Sequence, residues 1–566
     1  MSVDAPGRSS TKGSGGDDAL LKKDFGTVGL LFTAIGSIIG SGWLFGALKA
    51  SQIAGPAAIF SWLIGTVMFV LIGLTYAEVG VMFPRSGGLA RYPHYAFGSF
   101  TSFTMGWITW LATVAVAPVE VQAVTQYANN YLPWLQVEAN GTPVLTNRGL
   151  VVAVALMAIF TVVNFFGVRW FARINNVLVW WKLAIIALVV VVFFAISFDS
   201  THFVSFGGFA PFGTTGVFEA IPTASIAFAF FGFRQGIELA GETSNPSRNI
   251  PLTVVGSVVL CGLIYIALQI AFIGAVPSSS ISAGGWASLG HHIIPGTSAT
   301  ASGSFGPLAA TASVLGVGWL AVLLYADAII SPSDTGLIYT GVTARLSYGM
   351  GRNRNAPAAL AKVNKTGVPW LSLLLAFVIG CLFFLPFPGW QQLVEFITNT
   401  TVLSFGMGPL VLIVMRKQLP HTPRPFRLKG AWVIAFLALW SSNLIVYWTG
   451  WDTNWKMFVA ILLGLVLLTV QQTTAKTITP ALELRHGWWL LVWFSGLAVI
   501  SYLGSYPAVS KGAGNVGVLT FGVGAGLCFV LTAVVMALAC ACRLPSEQVR
   551  QRVLLSDDDG HAPVAG

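Results

Sequence analysis

Charge is what this sequence has least of. Only 9% of its 566 residues are Asp, Glu, Lys or Arg, against 55% hydrophobic residues and a mean hydropathy of +0.77. That balance excludes a soluble globular protein of this length. Cysteine is scarce too: Cys261, Cys381, Cys528, Cys540 and Cys542 lie in or at the ends of apolar runs. They have no metal or redox spacing, which leaves them as buried thiols. Cys540 and Cys542 flank a single alanine, where a small apolar role outweighs lipidation or a thiol pair. No phosphate loop, nucleotide fingerprint or catalytic-triad spacing is present, so nothing points to nucleotide-driven work or to an enzyme. The adjacent His291 and His292 lack a third ligand, and no metal or cofactor is expected. A short apolar core with a cleavage site is also missing, so no signal peptide is expected.

What is present is a succession of apolar stretches. Residues 1–24 are rich in Gly, Ser, Asp and Lys and are expected to be a disordered tail. The stretches then run 26–48, 57–83, 100–132, 149–166, 174–196, 218–240, 252–276, 306–338, 369–385, 393–414, 432–449, 458–469, 488–503 and 516–541. Each is read as a membrane span, with the twelfth the weakest. An even number of spans leaves both termini on one side. If that side is the cytoplasm, 24 of the 30 Lys and Arg fall in tails and inward loops, the exceptions being Lys49, Arg148, Lys182, Arg234, Lys456 and Lys511. The positive-inside rule therefore supports a multi-pass protein of a cytoplasmic membrane with both termini cytoplasmic. The net charge of +10 is then a topology signal with the lipid bilayer as partner, and no nucleic-acid partner is expected.

Two spans are poorly made as helices. The first contains IGSIIGSGWLF (35–45), in which five of eleven residues are Gly or Ser. Glycine costs about 1 kcal/mol in a helix interior relative to alanine, and an amide freed in hydrocarbon must find a partner inside the protein. Broken at Gly40, Ser41 and Gly42, this span would offer bare N–H groups and a half-helix N-terminus to a carboxylate. Alternatively, its small residues only permit close helix packing. The sixth span reads AFAFFGFRQGIELAGE (227–242), with Gly232 and Gly236 placed as its breaks and Arg234 beside them. Two interrupted spans five positions apart fit a carrier built from inverted repeats, with its ligand near the membrane midplane.

Beyond these patterns, the sequence resembles a known family. TYAEVGVMFPRSGGLARYPHYAFG (75–98), AGETSNPSRNIP (240–251), IGSIIGSG (35–42) and VTARLSYGMGRN (342–353) occur in the order found in the amino acid-polyamine-organocation superfamily of secondary transporters. FAPFGTTG (209–216), Glu120 and GWLAVLLYADAIISP (318–332) are similar to its bacterial members that carry aspartate with protons. The resemblance implies an all-α membrane protein with a five-plus-five inverted-repeat core over 25–416, four extra spans over 417–541 and a cytoplasmic tail over 542–566. It also implies a small-molecule amino acid substrate, held by Ser37, Ile38, Gly40, Ser41 and Gly42 of the first span and Ala229, Phe230, Phe231 and Gly232 of the sixth. The oligomeric state is left open.

Ionisable groups inside spans usually signal function, because a charge in lipid costs at least about 2.5 kcal/mol. Lys182 matches a fifth-span lysine that proton-coupled members place where sodium-coupled relatives hold sodium, against first- and eighth-span carbonyls. Its competing role is snorkelling to the inner face. Arg234 departs from the acidic or neutral residue of many members. It either pairs bidentately with a second carboxylate on the substrate, selecting aspartate or glutamate, or bridges to Glu120 or Asp327. Glu120 and Asp327 are candidates to carry the proton. Asp334 is read as a solvated helix-end acid or a gate. Glu78 and Glu242 are read as closing an inner gate by pairing with Arg85, Arg91 or Arg248, or as surface ion pairs with them, and Trp448 and Trp451 as interface anchors. The expectation is proton-coupled amino acid uptake; exchange without net proton flux and a transporter-like nutrient sensor are the alternatives.

Overall fold

A computed structural model describes residues 26–85, 87–139, 142–166, 169–292, 305–352, 356–364, 367–474, 482–507 and 515–558. The expected tail 1–24 and residues 559–566 lie outside them. Helix dominates, and the one sheet among the described residues is a hairpin pairing Gln136–Ala139 with Thr142–Leu145. Each of the fourteen apolar stretches contains helix. Among the described residues, eleven helices are long and apolar enough to cross a bilayer, or twelve if the bent pair Gly213–Thr223 and Phe228–Glu238 is one span. The difference from fourteen has two sources. The first stretch is divided into Thr27–Ile38 and Gly42–Ala54, the latter running on into the second span, and Trp370–Leu382 is a short apolar helix. The weak twelfth stretch is the middle of a longer helix, Trp451–Thr474.

Local chemistry explains several of these boundaries. The first span turns into the second through one 3-10 turn, Gly55–Ala57, where Gly55 has φ +61° and Pro56 opens the turn. That φ and the rings of Pro211 and Trp286 close to where a Cβ would stand both favour glycine. The seventh span, Pro246–Ala275, starts with proline, whose missing N–H is no loss in a first turn. This span packs against the second, first and fifth, while the eighth, Gly318–Arg352, packs against the third. One apolar core runs from Ile35 to Val549. On the outside, Val151, Ile159, Leu462, Leu463 and Val466 are exposed, as lipid-facing side chains are.

The C-terminal spans are tied to the tenth, Trp390–Phe405 and Met407–Gln418, by buried amides. Asn399 donates to Asn454 at 2.6 Å, Asn454 donates to Ser501 at 2.7 Å, and Trp493 donates to Asn443, which donates to Thr532 at 2.9 Å. Such bonds are worth about 0.6–2 kcal/mol each in a membrane protein. Trp448, expected at an interface, is buried and packs its ring on Phe218.

The segment expected as a C-terminal tail opens with a docked helix, Ser546–Asp558. Leu544 N–H donates to the Ala96 carbonyl at 3.1 Å, and Gln418 donates to both Ala96 and Leu544 carbonyls. Arg552 donates to the His94 carbonyl and pairs with Glu483, whose carboxylate accepts the Ser99 N–H at 2.8 Å. Residues from beyond the tenth span thus close the C-terminal end of helix Gly88–Phe97 and cap the N-terminus of the third span. Burial, and then Arg552, push the His94 imidazole down to about 4. A base depressed below its unfolded value near 6.5 contributes stability that is complete above that value and lost as pH falls toward the folded one. The protection factors of amides in helices 88–97 and 546–558, taken relative to intrinsic exchange at each pH, should therefore fall between pH 6.5 and 4, and His94→Leu should flatten that dependence.

Candidate functional site

The site grows from the first-span break. Helix Thr27–Ile38 ends at Ile39, which leaves helical geometry at ψ 80°, and a new helix begins at Gly42. The amide of Gly40 turns back to the Ile38 carbonyl at 3.1 Å, so the carbonyl of Gly36 loses its helical partner. Lys182 of the fifth span supplies one, its Nζ lying 2.9 Å from that oxygen. Tyr265 of the seventh span donates to the Ile38 carbonyl at 3.3 Å, and the Thr335 hydroxyl lies within 3.4 Å of the Gly36 and Ile39 oxygens. Lys182 is fully buried and pairs with Asp334 at 2.7 Å. It does not snorkel, and Asp334 is no solvated helix end; the two form one buried ion pair beside the break.

The expectation of bare amides at Gly40–Gly42 is corrected at one atom. Ser41 N–H donates to Oε2 of Glu120 at 2.8 Å, so a carboxylate of the third span occupies part of the cradle. The Ser41 hydroxyl accepts from the Trp390 indole at 3.0 Å. A Cβ at Gly40 would come 2.6 Å from Glu120 Oε1 and 3.1 Å from Thr335, so glycine is what lets these side chains approach the backbone.

The sixth span also breaks, though not where its glycines suggested. Helix Gly213–Thr223 ends after Pro222, and the chain bends 47° before Phe228–Glu238. The turn lies at 224–227, with Ser225 in the left-handed region at φ +66°. Ser225 is buried, its Oγ lies 3.4 Å from the Gly42 carbonyl, and its own carbonyl accepts from Ala229. Gly232 and Gly236 serve packing instead. A Cβ on Gly232 would run into the backbone of Ser37 and Ile38, whereas one on Gly236 would meet the Thr253 and Val254 side chains. Gly232 is where the two broken spans touch, backbone to backbone.

Between these elements lies a cavity of about 10 Å³, bounded by Ser37, Ile38 and Gly40, by Val116 and Glu120, by Phe228 and Phe231, and by Thr335 and Tyr339. That is room for about one water molecule; the arrangement is closed. Ser37, Ile38, Gly40, Glu120 and Phe231 all line it. Ser41 and Gly42 sit just behind them, with Gly42 against Phe228 and Ala229. Phe230 turns away to Trp62, Phe69 and Tyr265. Asp327 is apart, bonded to the Trp181 indole at 2.9 Å and Ser331 at 2.6 Å.

Arg234 is buried beside the cavity wall. Its Nη2 donates to Thr113 at 2.6 Å, its guanidinium stands 6.0 Å from the Tyr339 ring centroid, and its Nε has no partner among the described residues. Neither Glu120 nor Asp327 pairs with it, which corrects the internal salt bridges considered above. Thr113, Thr335 and Tyr339 escaped the sequence reading. The density of polar residues in SPSDTG (331–336), inside an apolar helix, was the available signal for Thr335. Glu78, expected at the surface, is buried; Arg416 holds both its oxygens at 2.9 and 2.6 Å, and Arg424 lies 3.3 Å away. That pairing fixes the end of the second span to the tenth.

Comparison with known proteins gives the family. The profile of a family described as amino acid permease matches residues 25–468. The chain belongs to the amino acid permease family. It is 39% identical to the glutamate/serine transporter AimA of Bacillus subtilis (strain 168) over 492 residues, 86% of this chain and 88% of that protein. To the aspartate-proton symporter of the same organism it is 34% identical over 488 residues, covering 86% and 91%. To its branched-chain amino acid permease BcaP the identity is 26% over 464 residues, covering 79% and 92%. This amino acid permease is thus a multi-pass membrane transporter, with an amino acid as substrate, and not an enzyme. The contact at Gly232 leads to a test of its site. Gly232→Ala should lower stability in detergent by about 1–3 kcal/mol and abolish transport. Gly236→Ala, opposed by methyl groups that can shift, should cost less on both measures.

Proposed function

We propose that this permease takes up amino acids across the cell membrane together with protons, and that aspartate and glutamate are its preferred substrates. The observation that carries the reading is Arg234: a guanidinium buried beside the sixth-span break, bonded to one hydroxyl and in ion-pair contact with no carboxylate among the described residues, Glu238 one helical turn along acting on it only at longer range. Leaving such a charge unpaired is costly unless a ligand supplies the partner. A second carboxylate on the substrate would do so. The α-carboxylate would take the first-span amides over Ser37–Gly42, and the α-ammonium the sixth-span carbonyls over Ala229–Phe231. Two relatives whose names include glutamate or aspartate support the same class.

Proton coupling is assigned to Lys182, Glu120 and Asp327, with Lys182 at the cation site against the Gly36 carbonyl. The core over 25–416 works as a five-plus-five inverted repeat with both termini cytoplasmic, and alternating access comes from rocking of the first, second, sixth and seventh spans against the rest.

Purified protein in liposomes, given a pH gradient and labelled acidic, neutral and basic amino acids, tests the reading. Aspartate or glutamate should accumulate when the outside is acidic; dependence on internal substrate with no response to pH would mean exchange, and preference for lysine would remove the role of Arg234. Arg234→Leu should weaken aspartate binding by about 10–100-fold, the worth of hydrogen bonds to a charged group, while affecting serine far less. Lys182→Ala should abolish accumulation against a gradient while the protein still folds, measured by uptake in the same vesicles.

A further inference from the structure

We infer that Glu120 is a built-in competitor for the substrate: its side chain holds the first-span amide that the α-carboxylate of an incoming amino acid must take. This rests on the reading of the chain as an amino acid carrier but not on which amino acid it carries.

The geometry points there atom by atom. Glu120 Oε2 accepts the Ser41 N–H at 2.8 Å, at the start of the helix Gly42–Ala54. A carboxylate in that place uses the same donor and the same half-helix N-terminus that would favour any other carboxylate. Oε1 is buried, has no hydrogen-bond partner among the described residues, and lies over Gly40 at the wall of the cavity. With room for about one water, the cavity cannot hold a ligand carboxylate while Glu120 stays where it is.

The charged and titratable groups facing Glu120 do not neutralise it directly. Lys182 of the fifth span is engaged by Asp334 of the eighth at 2.7 Å and by the Gly36 carbonyl. The seventh and eighth spans present the phenols of Tyr265 and Tyr339, with Arg234 of the sixth beyond the Tyr339 ring, and the first span presents no ionisable side chain. A carboxylate ion held by a single serine, Ser41, is poorly held in such a place, so substrate entry and proton entry are linked. A proton from the outer solution adds to a Glu120 oxygen, forming an O–H bond and removing the negative charge. The neutral side chain yields the Ser41 N–H, and the substrate carboxylate accepts it. On the inner side the substrate leaves, the O–H bond breaks, the proton departs with the substrate, and Glu120 retakes the amide. One proton moves with each amino acid.

The test is binding of labelled L-aspartate and L-serine to the purified full-length protein across pH 5 to 8, alongside counterflow and pH-driven uptake in liposomes. For the wild type, affinity for both amino acids should tighten as pH falls, by at most about tenfold per pH unit for one linked proton. Glu120→Gln carries no titrating charge and should lose that dependence for both, keep counterflow, and lose accumulation driven by a pH gradient. Glu120→Asp, one methylene too short to hold the Ser41 amide, should also flatten the dependence and bind substrate more tightly than wild type above pH 7; it decides the matter if the Gln variant does not fold. Either variant retaining the full wild-type dependence overturns the inference. So does a folded Glu120→Gln protein that binds neither amino acid. A wild type that prefers serine to aspartate yet follows this pattern overturns the acidic preference and leaves Glu120 in its role.

Discussion

The structure is governed by one requirement: no peptide group may be left unbonded in hydrocarbon. Two spans violate helical continuity, and the price is met by side chains from four other spans. Lys182 takes the Gly36 carbonyl, Tyr265 the Ile38 carbonyl, and Glu120 the Ser41 amide, while Thr335 reaches into the same break. The polar residues of the fifth, third, seventh and eighth spans are therefore fixed by the first. Each bond that satisfies a freed backbone group also brings an ionisable or hydroxyl group to the place where a zwitterion would bind. Structural need and transport chemistry converge on the same atoms.

That convergence has an electrostatic consequence. The broken region already contains a closed ion pair in Lys182 and Asp334, and it adds a carboxylate on one side and a guanidinium on the other. An amino acid entering this region brings a carboxylate that repels Glu120 and, if acidic, a second one that suits Arg234. Coulomb terms are far larger in such surroundings than in water. The cheapest way to admit an anion is to remove a negative charge already there, and a proton does that without needing a further site. The coupling proposed above would then follow from crowding of like charges in a closed volume.

Much of this was legible in the sequence, and the parts that were not share a cause. Spans announce themselves because apolar composition is local, and Gly40–Gly42 announce a break because consecutive small residues are local too. The sixth-span turn was misplaced by several residues because glycine marks both turns and close contacts. Here the turn uses Ser225 at positive φ, and Gly232 marks the contact with Ser37 and Ile38. Partners were the hardest to read. Glu78 finds Arg416 and Arg424, more than 330 positions away, and Arg234 finds Thr113 and Tyr339. Charge alone says that an ionisable group needs a partner; only packing of distant spans says which one.

The four extra spans enter the argument at the same point. They reach the core through the tenth span, by Asn399 and Asn454, through the start of the third, where Glu483 caps Ser99 and Arg552 holds the preceding helix, and through helix Ala431–Thr449, which packs on the second and sixth spans. The third span carries Glu120 and Val116, and the tenth carries Trp390, which bonds Ser41. Both spans lie on the stationary side of the rocking motion proposed above. A carrier that separates its halves needs one half held rigid, because a competitor side chain such as Glu120 works only if its own backbone does not follow the substrate. Buried amide bonds and a capped helix end supply that rigidity where lipid alone, offering no hydrophobic drive between helices, would not.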